Sequence, residues 1–232
     1  MAESNKPLTT KPQVLESKDQ FQKIPTKKLH PDILLESKPC KDFLRPKLIV
    51  IGASTGGVDA LSTIFERLPS GLPPIVIVQH IPKPFGSSFA KRLNSISTLN
   101  IFEVTQKMLL EPSCAYLASG NSHISLNYEN GKYSAKPFDG PRISRHKPSV
   151  DILFRSANNI AGKNTLGVIL TGMGDDGSIG IKELFDNGAT TIAQDEESCV
   201  VFGMPKRAIE VGGVTHTLSL EEIIEKIAIW GL

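Results

Sequence analysis

The sequence is poor in cysteine, in aromatic residues and in net charge. Its three cysteines, Cys40, Cys114 and Cys199, stand far apart in 232 residues with no CxxC pair. That spacing excludes a disulfide framework and predicts free thiols in a reducing compartment. No His/Cys/Asp cluster shows metal-ligand spacing, so no metal is expected. Aromatic residues make up 6% of the chain and the formal net charge is +2. A field that weak gives no reason to expect nucleic acid as a partner. Long hydrophobic runs are missing as well. Pro74 to Val78 is among the longest, far short of the ~20 residues of a membrane-spanning helix. The opening residues, MAESNKPLTTKPQ, lack the apolar stretch of a secretory signal. The expectation is a cytoplasmic protein with no direct membrane insertion.

Glycine is absent from the first 46 residues, which hold six of the 16 prolines and a net charge of +3. The remainder carries all 19 glycines and a net charge of −1. Lys and Pro without periodic apolar residues bury too little surface to offset ordering entropy. Residues 1–46 are therefore expected to be a disordered basic tail or linker, with Asp32 to Leu35 as the alternative of a docking segment. Residues 47–232 are expected to form one domain. The overall composition, 40% hydrophobic and 22% charged, is ordinary for a globular chain. A domain of that length buries about 70% of its unfolded surface and needs no metal or disulfide staple.

After Lys47 short apolar runs alternate with segments of helical spacing. Strands are predicted at Leu48 to Ile51, Pro74 to Val78, Asn100 to Val104, Ala115 to Leu117, Leu166 to Leu170 and Thr190 to Ala193. Helices are predicted at Val58 to Leu68, Phe85 to Ile96, Val150 to Ile160, Ile179 to Phe185 and Leu220 to Ile229. Ile124 to Ala135, with Asn130-Gly131 at its middle, reads as a hairpin with a tight turn. Four- to six-residue apolar strands alternating with helices mean βαβ units. The fold class is α/β, with a mostly parallel, doubly wound (Rossmann-like) sheet and an inserted β-hairpin.

Three strand-to-helix turns carry chemistry. Gly52-Ala53-Ser54-Thr55-Gly56-Gly57 fails the GxGxxG fingerprint, because Ser54 occupies the second glycine position. It fails the P-loop pattern because no Lys follows Gly57. It matches G-x-S-x-G, the spacing of a nucleophile elbow, in which small residues let the chain turn sharply and leave the serine hydroxyl exposed. No nucleotide motif remains, and no cofactor is expected. A serine needs an adjacent base. His80 ends the strand next in sequence, and ligands of open parallel sheets bind outside the carboxyl ends of strands. The third turn, Thr171-Gly172-Met173-Gly174-Asp175-Asp176-Gly177, offers two carboxylates to orient an imidazole. It also offers the glycine-flanked N–H of Met173 as an oxyanion donor. The competing reading makes Ser54 or Thr55 and one of the aspartates plain helix caps. His146 lies in a polar, cationic loop, Asp139 to Asp151, that reads either as a solvated loop or as a substrate wall. His123 reads as structural, and His30 falls in the expected tail.

With these residues in place, the sequence resembles the catalytic domain of the CheB-type protein-glutamate methylesterase family, from about Lys47 to Gly231. The motifs that carry the resemblance are IGASTGG (Ile51 to Gly57), VQHIP (Val78 to Pro82), SRHKPSVD (Ser144 to Asp151), ILTGMGDDG (Ile169 to Gly177) and AQDEESCVVFGMP (Ala193 to Pro205). The resemblance implies a triad of Ser54 as nucleophile, His80 as base and Asp176 as orienting acid. It implies that Thr55, His146 and Met173 line the site. The implied reaction is hydrolysis of glutamate γ-methyl esters on the cytoplasmic helices of methyl-accepting chemoreceptors, with glutamine deamidation as a second activity. Members usually carry an N-terminal receiver domain; residues 1–46 are too short for one, which leaves a regulatory partner as an expectation. Two rivals stay open. One is a generic α/β-hydrolase-like esterase with its histidine late in the chain, for which only His216 qualifies. The other is a non-enzymatic binding module.

Overall fold

The computed structural model describes residues 28–42 and 44–230. Ten strands and six helices follow one another as β1 (Leu48–Ala53), α1 (Gly57–Arg67), β2 (Ile75–Gln79), α2 (Lys83–Ile96), β3 (Asn100–Val104), β4 (Met108–Leu109), β5 (Cys114–Ala118), β6 (His123–Glu129), β7 (Lys132–Phe138), α3 (Val150–Ile160), β8 (Thr165–Ile169), α4 (Ser178–Asp186), β9 (Thr190–Gln194), α5 (Met204–Glu210), β10 (His216–Leu218) and α6 (Leu220–Trp230). Seven strands form one parallel sheet in the order β10-β9-β8-β1-β2-β5-β3, and β4-β7-β6 form a small antiparallel sheet. The doubly wound α/β class expected from the alternating runs is the class observed.

The strand pattern explains the two layers. β1 is buried at every position, so its alternate side chains face opposite helix layers. Ile49 and Ile51 pack with Leu61, Ile64 and Phe65 of α1, Phe89 and Leu93 of α2, and Ile223 and Ile227 of α6. Leu48 and Val50 pack on the other side with Leu153 and Phe154 of α3, Leu184 of α4 and Ala208 of α5. That second layer also takes Ile124, Leu126 and Ala135 of the antiparallel sheet. The expected hairpin is β6–β7. Asn130 and Gly131 both have positive φ, 52° and 79°, as a two-residue turn matching the strand twist requires.

Four short features were not anticipated: β4, α5, β10 and the way residues 28–42 and 44–46 lie. The expectation of a free tail does not describe residues 28–42 and 44–46. They run as a strap along α3 and α4. Cys40 N–H donates to Asn158 O (2.9 Å), and Ser144 N–H to Leu29 O (3.0 Å). Lys38 N–H donates to Asn159 Oδ1 (2.7 Å), and Asn159 Nδ2 returns a bond to Glu36 O (2.8 Å). The buried guanidinium of Arg155 grips Asp32, Leu35 O and Glu183. The composition of the segment is polar, but its backbone groups find side-chain partners on the helices, which offsets ordering without a periodic apolar face. Residues 1–27 of the expected tail lie outside the described residues. Among the described residues, no helix is long and apolar enough to cross a membrane.

Candidate active site

β8, β1 and β2 are neighbours at the centre of the sheet, and the three candidate turns leave their carboxyl ends side by side. Ala53 pairs with Gln79 across β1 and β2, and His80 N–H donates to Ala53 O (3.0 Å). Ser54 and His80 thus leave the sheet from adjacent positions. On the other flank Ser54 N–H donates to Thr171 O (3.0 Å). The two glycine turns touch here. A Cβ on Gly172 would stand 2.7 Å from Ser54 Cβ, so only glycine fits beside the serine. Gly56, with φ of 82°, makes the bend that starts α1. Gln79 Nε2 donates to Ser54 O (2.8 Å), and Thr171 Oγ1 donates to Thr55 O (2.9 Å), bracing the turn from beneath. Thr171 is itself held by Gln194 Oε1 through its N–H (2.8 Å).

His80 Nε2 lies 2.8 Å from Asp176 Oδ2. A carboxylate only accepts, so Nε2 carries the proton and Nδ1 carries the lone pair. Nδ1 is buried and has no partner among the described residues. His146 stacks on His80 with ring centroids 3.8 Å apart and planes within 1°. Burial and the neighbouring His80 push the His146 imidazole down to about 4, so it is neutral near pH 7. A neutral ring against His80 avoids two cations in contact.

Asp176 is fully buried. Burial alone would raise its pKa, but the hydrogen bond and charge of His80 bring it below the ordinary carboxylate value. Its oxygens also accept from Ser149 Oγ (2.7 Å), Val150 N–H (2.8 Å) and Asp151 N–H (3.1 Å). Asp176 therefore caps α3 from outside, since Ser149 at the N-cap gives no side-chain cap of its own. Asp175 turns away. It pairs with Lys28 (2.6 Å) and Arg145 (3.4 Å) and is partly exposed.

Thr55 and Met173 are exposed. Their backbone N–H groups have no partner among the described residues, which suits an oxyanion. A cleft of about 280 Å³ opens beside His80, lined by Ile81, Pro82, Gly120, Arg142, His146 and Lys147. Of the other histidines, His123 is buried, with Nε2 donating to Pro141 O (2.9 Å) and Nδ1 accepting from Ser149 N–H (3.3 Å). Burial lowers its pKa, which fits a neutral structural ring. His216 begins β10, the far edge of the sheet. Among the described residues no group of three or more His, Cys, Asp or Glu is arranged to hold a metal.

Ser149, Asp151, Ser144, Gln79 and Gln194 support the site without a motif of their own in the sequence. Asp151 had one visible signal: an acidic residue in the first turn of a predicted helix that is followed by apolar positions on every side. Its raised pKa, about 7, comes from burial and the nearby Asp176 charge.

The chain matches the family model described as CheB methylesterase over residues 49–227. It is 47% identical over 202 residues to protein-glutamate methylesterase/protein-glutamine glutaminase 3 of Geobacter metallireducens, an alignment covering 86% of this chain and 57% of that one. It is 51% identical over 181 residues to protein-glutamate methylesterase/protein-glutamine glutaminase 2 of Chromobacterium violaceum, covering 78% and 51%. The chain spans little more than half the length of these curated relatives. The crystal structure of the Thermotoga maritima CheB methylesterase catalytic domain matches with a TM-score of 0.76 and 41% identity, over 80% of this chain and 98% of that domain.

Proposed function

The chain belongs to the CheB methylesterase family, and from that membership and the geometry of its site we propose that it is a serine hydrolase of glutamate γ-methyl esters on chemoreceptors. Ser54 Oγ attacks the ester carbonyl and its proton goes to His80 Nδ1. The N–H groups of Thr55 and Met173 take the oxyanion. His80 returns the proton to the departing methoxide, giving methanol and an acyl-serine. Water then attacks the acyl-serine, with His80 again as base, and the product is a glutamate carboxylate. Asp176 fixes the tautomer throughout and stabilises the imidazolium.

One observation carries this reading: an imidazole whose Nε2 is held by a buried carboxylate while its buried Nδ1 has no partner among the described residues, at the strand end next to a serine on a sharp turn. A buried nitrogen lone pair without a donor is costly unless a function uses it. The open cleft with Arg142 and Lys147 on its wall favours a substrate presented on the surface of an acidic protein segment. The relatives' names add glutamine deamidation. The same acyl chemistry serves it, with ammonia as the leaving group. Residues 47–232 are the proposed catalytic unit, and the cytoplasm, where receptor helices carry such esters, is its proposed place of action. The test is methanol release from methylated receptor by the purified chain. Release that continues unchanged in His80→Gln would overturn the reading.

A further inference from the structure

We propose that Asp151 is a positioning residue of this site, holding the turn of Asp176 and the loop of His146 in register. The proposal rests on the reading of Ser54, His80 and Asp176 as the reacting set. Asp151 touches none of the reacting atoms. It is the second residue of α3 and is fully buried. Its Oδ1 accepts from Ile179 N–H (3.0 Å) and Gly180 N–H (2.9 Å), in the first turn of α4. Its Oδ2 accepts from Ser144 Oγ (2.6 Å).

The first link is a reciprocal cap. Helix starts leave orphan N–H groups that need acceptors. Neither Ser149 before α3 nor Gly177 before α4 supplies a side-chain cap. Asp176, two residues ahead of α4, closes α3, and Asp151, within α3, closes α4. The two helices also approach too closely to slide. A Cβ on Gly180 would stand 2.6 Å from Phe154 Cβ and 2.9 Å from Asp151 O. Losing the Asp151 carboxylate opens the first turn of α4, which is the anchor of the Asp176 turn.

The second link is the His146 loop. Ser144 and Arg145 have φ of 48° and 72°, left-handed values that are costly for residues with a Cβ. Such a turn persists only where its surroundings fix it. Ile143 and His146 exchange backbone bonds of 3.0 and 2.8 Å, and the Ser144 hydroxyl reaches into the core to Asp151. That anchor sets where His146 stacks on His80. Asp151 thus reaches the base from two sides, through Asp176 and through His146.

Asn can replace this geometry. Its Oδ1 accepts from the two α4 amides and its Nδ2 donates to Ser144 Oγ, whose hydroxyl is free to rotate. Ala cannot. The experiment compares Asp151→Asn, Asp151→Ala and Ser144→Ala by kcat and KM on a small chromogenic ester, by thermal unfolding, and by the downfield proton resonance of the His80–Asp176 hydrogen bond. Displacing a catalytic group by about 1 Å costs on the order of 10²-fold. The expected result is a kcat lower by roughly 10- to 100-fold in Asp151→Ala and by less in Ser144→Ala. KM should stay within about twofold and the His80 resonance should weaken or shift, while Asp151→Asn restores kcat and resonance to near wild type. A folded Ser144→Ala with wild-type kcat and resonance would overturn the proposal. So would an Asp151→Asn that folds but is as impaired as Asp151→Ala. Should Asp151→Ala fail to fold, Ser144→Ala and Asp151→Asn still decide. A wild-type chain that never hydrolyses the ester would instead refute the hydrolase reading, and the resonance would then test the positioning alone.

Discussion

Replacing Asp176 with Asn takes one acceptor from a carboxylate that four donors share. Oδ1 receives Ser149 Oγ and Asp151 N–H, and Oδ2 receives Val150 N–H and His80 Nε2. Whichever way the amide is placed, its NH₂ faces two groups that were donating to an oxygen. If it faces His80, the imidazole must accept at Nε2 and carry its proton on Nδ1, which removes the base. A wrong tautomer of this kind costs about 10⁴ in kcat. If it faces Ser149 and Asp151 N–H instead, His80 keeps its acceptor but the Asp151 N–H part of the α3 cap is lost. An uncapped helix start costs about 1 kcal/mol and a buried unsatisfied donor about 1–3 kcal/mol. The expected stability loss is thus about 2–4 kcal/mol. Asp176 does not line the cleft, so KM should change little. The pH dependence has a definite sign. The folded pKa of Asp176 is depressed, so its contribution is full above the unfolded value near 4 and fades as pH falls below it. The stability gap between wild type and Asp176→Asn should therefore be constant above about pH 4 and close below it. The assays are steady-state ester hydrolysis and denaturant unfolding across pH. A folded variant that retains more than a tenth of kcat and also loses less than about 1 kcal/mol of stability would refute both placements.

Arg155→Ala should destabilise by about 2–3 kcal/mol in denaturant unfolding, because it strands Glu183 and releases the strap at Asp32 and Leu35; a loss below about 0.5 kcal/mol would show that the strap is held elsewhere. Acidification should cost wild type more than His146→Asn. The depressed His146 pKa, about 4, means that only the unfolded ring takes up a proton between about pH 6.5 and 4, a loss on the order of 2–3 kcal/mol. The raised pKa of Asp151 works in the opposite direction over the same range, but it is common to both proteins and drops out of the comparison. Equal pH slopes would contradict the burial of His146. His216→Gln should leave ester turnover within twofold or so of wild type, the scale of an exposed edge substitution; a dead variant would favour the α/β-hydrolase order of triad residues.

The elements that sequence made legible are those with strong periodicity. β1, β2 and β8 are continuous apolar runs, and α1 and α3 carry wide apolar stripes, so their places were readable within a residue or two. β4 and β10 are two and three residues long, too short for a period to show. α5 begins at Met204 with Pro205 in its first turn, and the polar loop ahead of it hid its start. The strap escapes a compositional reading because composition measures apolar content, whereas residues 35–40 dock through backbone groups onto Asn158, Asn159 and Arg155. The grouping of Ser54, His80 and Asp176 at one sheet edge was legible because each follows a strand end in a glycine-rich or polar turn. The support around them was not. Asp151 and Ser149 find their partners 25 to 29 residues away through the packing of α3 on α4, and no local spacing announces such a pairing.

The proposed reaction requires that Ser54 become acylated with His80 as its base. The most direct measurement is to quench the chain during turnover of a small activated ester, digest it and locate the acyl group by mass spectrometry. The expected outcome is one acylated peptide, modified at Ser54, which is absent in Ser54→Ala and forms on the order of 10³-fold or more slowly in His80→Gln. Acylation at any other residue, or turnover with no acyl-serine and an unaffected Ser54→Ala, would contradict it.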